Sequence, residues 1–178
     1  MLPLRVLLIA SGFLWFSTAE VRPADPPLEY QVKAVCVLNS ARFVTWPAGS
    51  LGADGSPIVI GILGENPFGS TLQAAVSGET VRDRKIVVRP VTLSEAATSC
   101  HILFISRSEA GRLGRVLQTV GQASVLTVSE IDGFAKNGGM IGLQLERGNV
   151  RFEVNPAAAK RAQLKIDSRL LRLAKIVH

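Results

Sequence analysis

Apolar and polar positions in this chain follow two different periods. From 28 to 45, Tyr30, Ala34, Val37, Leu38, Ala41 and Val44 recur along one helical face, and Glu29 and Lys33 stand four apart in the order that supports a helix. Trp46-Pro47 ends that helix, because the residue before a proline is pushed out of helical geometry. Phe43 and Trp46 are its expected anchors on the core. The runs 57–64 and 101–106 read as the apolar runs of strands buried on both faces, and 123–128 is a further strand. A further strand over 84–91 carries charges near its ends. Helices are expected over 67–76, where Pro67 suits a first turn, and over 108–120, capped by Ser108. Segments 138–146 and 149–155 flank Arg147-Gly148 and predict an antiparallel hairpin. Two short helices follow, over 156–162 and 168–177. Doubly apolar strands alternating with helices predict one layered α/β domain: a mainly parallel sheet flanked by helices on both faces, with an antiparallel hairpin at one edge.

The N-terminus is of another kind. Arg5 is the only charge before Glu20, an apolar stretch occupies 6–16, and Ser17-Thr18-Ala19 offers small residues for cleavage. That order is the mark of a secretory signal peptide over 1–19, which implies an exported protein that works outside the cytoplasm. Arg22-Pro23-Ala24-Asp25-Pro26-Pro27 cannot be helical, so 20–27 is expected to be a mobile lead-in to a domain over 28–178. Without residues 1–19, nineteen basic residues face fourteen acidic ones. A basic balance outside the cytoplasm points to an anionic membrane surface or an acidic protein more than to nucleic acid.

Little in the chain suggests catalysis. Gly61, Gly64 and Gly69 follow a strand, but the dinucleotide spacing is wrong and no Gly-Lys-Ser/Thr follows. A tight strand-to-helix turn explains these glycines. Only two histidines are present, and neither His101 nor His178 stands at metal-ligand spacing. No nucleophile elbow and no Cys/His pairing appear, so neither an enzyme activity nor a cofactor or metal is expected. The two cysteines, Cys36 and Cys100, admit a disulfide in an exported chain. The helical wheel places Cys36 on the stripe of Glu29, Lys33 and Ser40, which favours two separate thiols with Cys36 the more reactive.

Several blocks together resemble the YfiR-like family of periplasmic proteins. They are Tyr30-Gln31-Val32-Lys33-Ala34, Ala41 to Pro47, Gly61-Ile62-Leu63-Gly64 with Pro67-Phe68-Gly69, Cys100 to Ser106, Leu126 to Ser129, Phe134-Ala135, Gly138 to Ile141, Val150 to Asn155, and Ser168 to Ala174. The resemblance implies a regulator that represses an inner-membrane diguanylate cyclase through its periplasmic sensor domain, holding down cyclic-di-GMP synthesis and biofilm formation. An outer-membrane lipoprotein can sequester such a regulator. Family relatives of that kind carry more cysteines than this chain does. A small-molecule-sensing domain, with its pocket at the carboxyl ends of the parallel strands, is the alternative, and a hydrolase is a third reading. A homodimer is left open.

The hairpin is the sequence's strongest candidate for a partner surface, because an edge strand presents unpaired backbone groups. Arg151 and Glu153 alternate with Phe152 and Val154, so one face is expected to be wet. Phe134 is either tucked under the hairpin, the ordinary place for such a ring, or offered outward to fill a partner's pocket, with Glu146 and Arg151 as rim charges.

Overall fold

The computed structural model of the protein describes residues 27–177. The expected signal peptide and nearly all of the lead-in lie outside them. Helix α1 (Leu28–Phe43) starts the described chain, and two residues of strand, β1 (Val44–Thr45), follow at once. The helix expected to 45 therefore stops two residues sooner. Val44 and Thr45 pair antiparallel with Ile166 and Lys165 of the short strand β9 (Lys165–Ile166), and that pairing claims them.

Eight strands make the main sheet. In chain order they are β2 (Ile58–Leu63), β3 (Thr80–Val81), β4 (Arg84–Pro90), β5 (Ile102–Ile105), β6 (Leu126–Ser129), β7 (Ile141–Glu146), β8 (Asn149–Val154) and β10 (Lys175–Ile176). Across the sheet they run β10-β8-β7-β6-β5-β2-β4-β3. Strands β4, β2, β5, β6 and β7 are mutually parallel, and β7–β8 is the antiparallel hairpin. Arg147 (φ 51°) and Gly148 (φ 78°) both take left-handed backbone, the tight turn whose twist matches the flanking strands. The α/β reading with its hairpin near one edge holds. Beyond the hairpin, β10 adds a parallel pair, Lys175 beside Glu153 and Ile176 beside Val154.

Alternate residues along the strands feed two cores. Ile58, Ile60, Ile62, Ile102, Phe104 and Val128 join α1, α2 (Thr71–Val76) and α4 (Pro156–Arg161) on one face. Leu63, Leu103 and Ile105 meet Leu113, Val116 and Val120 of α3 (Leu113–Val120) on the other. The helix expected over 108–120 is divided: Arg107–Arg112 is a 3₁₀ turn before α3 begins. The helix expected over 168–177 is α5 (Ser168–Leu173), which ends early because Lys175 and Ile176 join the sheet. Both short C-terminal helices are capped from their own sequence. Asn155 accepts from the Ala158 amide at 2.9 Å, and Asp167 accepts from the Arg169 amide at 2.8 Å.

Candidate functional site

Helix α1 buries its polar stripe and exposes an apolar one. Lys33 is 1% exposed and Ser40 likewise, whereas Leu28 is 73%, Val32 41% and Val35 49% exposed. The three apolar residues follow the i, i+4, i+7 spacing that puts them on one side of a helix. The buried stripe is satisfied in full. Lys33 bonds both Glu29 and, at 2.5 Å, Glu130, which follows β6. The Tyr30 hydroxyl donates to Glu130 at 3.3 Å, Arg107 donates to the Glu130 carbonyl at 3.1 Å, and Ser40 donates to the Cys36 carbonyl at 2.9 Å. Burial works against the Lys33 ammonium, but its bonds to Glu130 and Glu29, with their charges, outweigh burial and raise its pKa. This ion cluster pins the start of α1 to the carboxyl end of the sheet.

The outer side of α1 faces the hairpin across an open groove of about 530 Å³, whose walls include Leu28, Val32, Leu145, Asn149, Val150 and Arg151. Leu145, at 49% exposure, is the hairpin's apolar contribution. An apolar helix side and an apolar strand tip facing one gap have no partner among the described residues, which makes this groove the candidate interaction surface.

The residues singled out in the sequence fare unequally. Phe134 is fully buried, its ring packed where a side chain on Gly139 would stand, so the outward orientation is excluded and the tucked one is correct. Glu153 is also buried, because β10 covers the expected wet edge and brings the Lys175 ammonium to 3.1 Å from its carboxylate. Glu146 and Arg151 are exposed and border a second, shallower groove with Phe152, Arg172, Leu173 and Lys175. Cys36 and Cys100 are free buried thiols in the two cores on opposite faces of the sheet, so they form no disulfide. Burial pushes both up to about 11, and the expectation that Cys36 is accessible on a polar stripe fails because that stripe is inside. Gly61 is packed by Val91 and Cys100, and Gly64, at φ +90°, by Ser108 and Glu109, which makes them turn and packing glycines. His101 accepts from the Val59 amide at 3.0 Å, a structural role. Among the described residues no cluster of His, Cys, Asp or Glu could hold a metal ion. A separate cavity of about 300 Å³ opens at the carboxyl ends of β2 and β4, with Ile62, Leu72 and Val88 as its floor and Asn66, Gln73 and Arg89 around it.

The sequence profile of YfiR/HmsC-like proteins matches residues 30–175, nearly all of the chain described. The protein belongs to the YfiR/HmsC-like family. That family is known from periplasmic regulation and is regulatory in character rather than catalytic. No helix among the described residues is long and apolar enough to cross a membrane. No curated protein matches the chain. Among solved structures it is similar to a conserved domain protein of Vibrio cholerae, at TM-score 0.55 and 11% identity over 86% of this chain and 60% of that one. It is also similar to an ABC domain of Streptococcus pneumoniae in complex with L-Trp, at TM-score 0.54 and 10% identity over 84% of this chain and 60% of that one. The chain thus spans about three fifths of either neighbour, and identities this low speak for the fold alone. For this YfiR/HmsC-like chain, the features that sequence reasoning missed are Leu28, Val32, Val35 and Leu145. Leu28, Val32 and Val35 share a helical spacing, but the helix reading rested only on the Tyr30–Val44 face and the Glu29–Lys33 stripe, and nothing local to Leu145 on β7 marks it as exposed.

Proposed function

We propose that the protein is a periplasmic regulator that binds and represses the periplasmic sensor domain of an inner-membrane signalling enzyme, namely a diguanylate cyclase, and so restrains cyclic-di-GMP synthesis. The observation that carries the reading is the apolar side of α1, with Leu28, Val32 and Val35 exposed while Lys33 on the same helix is buried. Burying a charge is costly unless it is paired and hydrogen-bonded, so a helix that packs Val37 and Leu38 on the core, buries Lys33 beside them and still leaves Leu28, Val32 and Val35 in solvent is best explained by a partner on that outer side. Leu145 across the groove supplies the second wall. Membership of a family of periplasmic regulators supports reading that partner as a membrane signalling enzyme.

The test uses Val32→Asp and Leu145→Asp, both at exposed positions. Each is expected to leave the melting temperature within a degree or two, since surface changes rarely exceed about 0.5 kcal/mol. Capture of the cyclase's periplasmic domain is expected to weaken about tenfold or more, with cellular cyclic-di-GMP rising in step. Undiminished capture by both variants would reject the α1 groove as the contact. A second reading, a small-molecule-sensing domain, is favoured by the cavity beside β2 and β4, where an apolar floor meets the amide and guanidinium groups of Asn66, Gln73 and Arg89. Protein that purifies with no bound molecule, and whose melting temperature no small amphipathic carboxylate shifts, would count against it.

A further inference from the structure

The positive charge of this chain is not spread evenly along the sequence. Residues 27–159 hold twelve basic and eleven acidic side chains, whereas residues 160–177 hold six basic and one acidic. All six, Lys160, Arg161, Lys165, Arg169, Arg172 and Lys175, are exposed. The single acid, Asp167, is held by Arg169 at 2.9 Å, and Lys175 serves the buried Glu153. Lys160, Arg161, Lys165 and Arg172 form no ion pair among the described residues.

Apolar tips project from the same segment. Leu173, the last residue of α5, is 75% exposed and Ile176 is 39% exposed. Leu173 directly follows Arg172, and both border the shallow groove that Lys175 and Arg151 also line. Arg151 forms no ion pair among the described residues, and Glu146 is the one exposed acid on that rim. The alternation of cation and protruding hydrophobe decides the kind of surface that fits. A protein partner would need a recess shaped to each protruding side chain. A fluid bilayer interface needs none: it admits leucine and isoleucine at the headgroup boundary while phosphates meet the cations around them. Each basic side chain near an anionic lipid surface strengthens binding by about fivefold, and four without acids of their own give that attraction room to act.

We propose that residues 160–177 dock the protein on an anionic phospholipid surface, with Leu173 and Ile176 at the headgroup boundary and Arg172, Lys175 and the neighbouring cations against lipid phosphates. The role is distinct from partner binding through α1 and does not depend on it. It confines the protein to the plane where a membrane-anchored partner stands, which raises the effective concentration without any new contact between the two.

The experiment is co-sedimentation of the purified protein with vesicles of phosphatidylethanolamine and phosphatidylglycerol, against vesicles of phosphatidylcholine alone. Binding to the anionic vesicles is expected to be about tenfold stronger or more, and to weaken as salt is raised. Arg172→Glu combined with Lys165→Glu is expected to weaken it by a further factor of about ten or more, and Leu173→Asp by several-fold. Lys175 is spared because it neutralises Glu153. Should the first double variant melt early, Lys160→Glu with Arg161→Glu is an independent reversal at exposed positions, and it too is expected to weaken anionic binding. Equal sedimentation with both vesicle types, or binding that all these variants leave unchanged, overturns the proposal. So does a result in which the charge reversals abolish capture of a soluble acidic protein domain while vesicle binding persists, which would make the segment a protein contact.

Discussion

Lys33 and Glu130 stand 97 positions apart and meet inside the protein. No spacing rule links two such residues, because what brings them together is the return of β6 beneath α1. Sequence reading saw only the local Glu29–Lys33 pair and assigned it to solvent. Removing one partner of a buried pair leaves an uncompensated charge, so Lys33→Ala is expected to cost about 3–5 kcal/mol in urea unfolding. Lys33→Met with Glu130→Leu removes both charges and is expected to recover most of that loss; no recovery would mean that the cluster works through its packing. Trp46 is buried, as its predicted anchoring role requires, and its Nε1 has no hydrogen-bond partner within the protein. Trp46→Ala is therefore expected to cost about 3–5 kcal/mol, and Trp46→Phe clearly less, since it deletes the unpaired donor along with part of the ring. The thiols add a pH dependence. Burial holds Cys36 and Cys100 at about 11, against 9.0 for an ordinary thiol. The native state then keeps protons that the unfolded chain releases first, so stability is unaffected below about pH 9 and falls as pH rises from there towards 11. Tyr30, raised by burial and by the charge of Glu130, acts in the same sense. A urea midpoint no lower at about pH 10 than at about pH 8 would contradict this account.

At the scale of elements, what the chain announced and what it hid divide along physical lines. Strands β2 and β5 were legible because apolar runs buried on both faces need no partner to be recognised, and β6 by the Val125-Leu126 and Val128 positions within 123–128. The β7–β8 hairpin was legible because Arg147-Gly148 suits its turn. Strands β1, β3, β9 and β10 were not, since each has two residues and two residues carry no period. They exist only through their pairing. That mattered for the candidate site: β10 turned the expected wet edge of Glu153 into an interior one, while exposed apolar side chains stand at Leu173 and on the outer side of α1. The connection between β6 and β7 makes the same point with Phe134. A Cβ on Gly139 would lie 2.2 Å from the Phe134 ring, so the glycine belongs to the packing of that aromatic and not to a flat contact loop. Phe134→Ala is expected to destabilise by about 3–5 kcal/mol, and Gly139→Ala to melt early as well because it forces the ring out of place. Normal melting of both with regulation lost would return Phe134 to the binding surface.

The whole molecule is a sheet with a core on each face, and that arrangement bears on how the protein is regulated. Export comes first: protein recovered from the periplasm is expected to begin at or near Glu20, and an intact mass retaining Met1 would refute the signal peptide read from 1–19. An oxidising compartment ordinarily favours disulfides where cysteines come in pairs. Here the sheet itself stands between the pair. Cys36 belongs to the core under α1 and Cys100 to the core under α3. A disulfide needs its Cα atoms within about 7 Å of each other, and two side chains that fill opposite faces of a packed sheet cannot reach one another without unmaking it. Each thiol is also kept protonated by its surroundings, so neither is a ready nucleophile toward an outside disulfide. The native protein is therefore expected to show the same melting temperature and the same partner affinity with reductant, with mild oxidant and with neither. A thiol reagent is expected to label both cysteines only after unfolding, Cys36 no faster than Cys100. Rapid native labelling of Cys36, or a melting temperature that drops on reduction, would show that α1 swings away from the sheet and that the buried Lys33–Glu130 pair is a latch rather than a permanent tie.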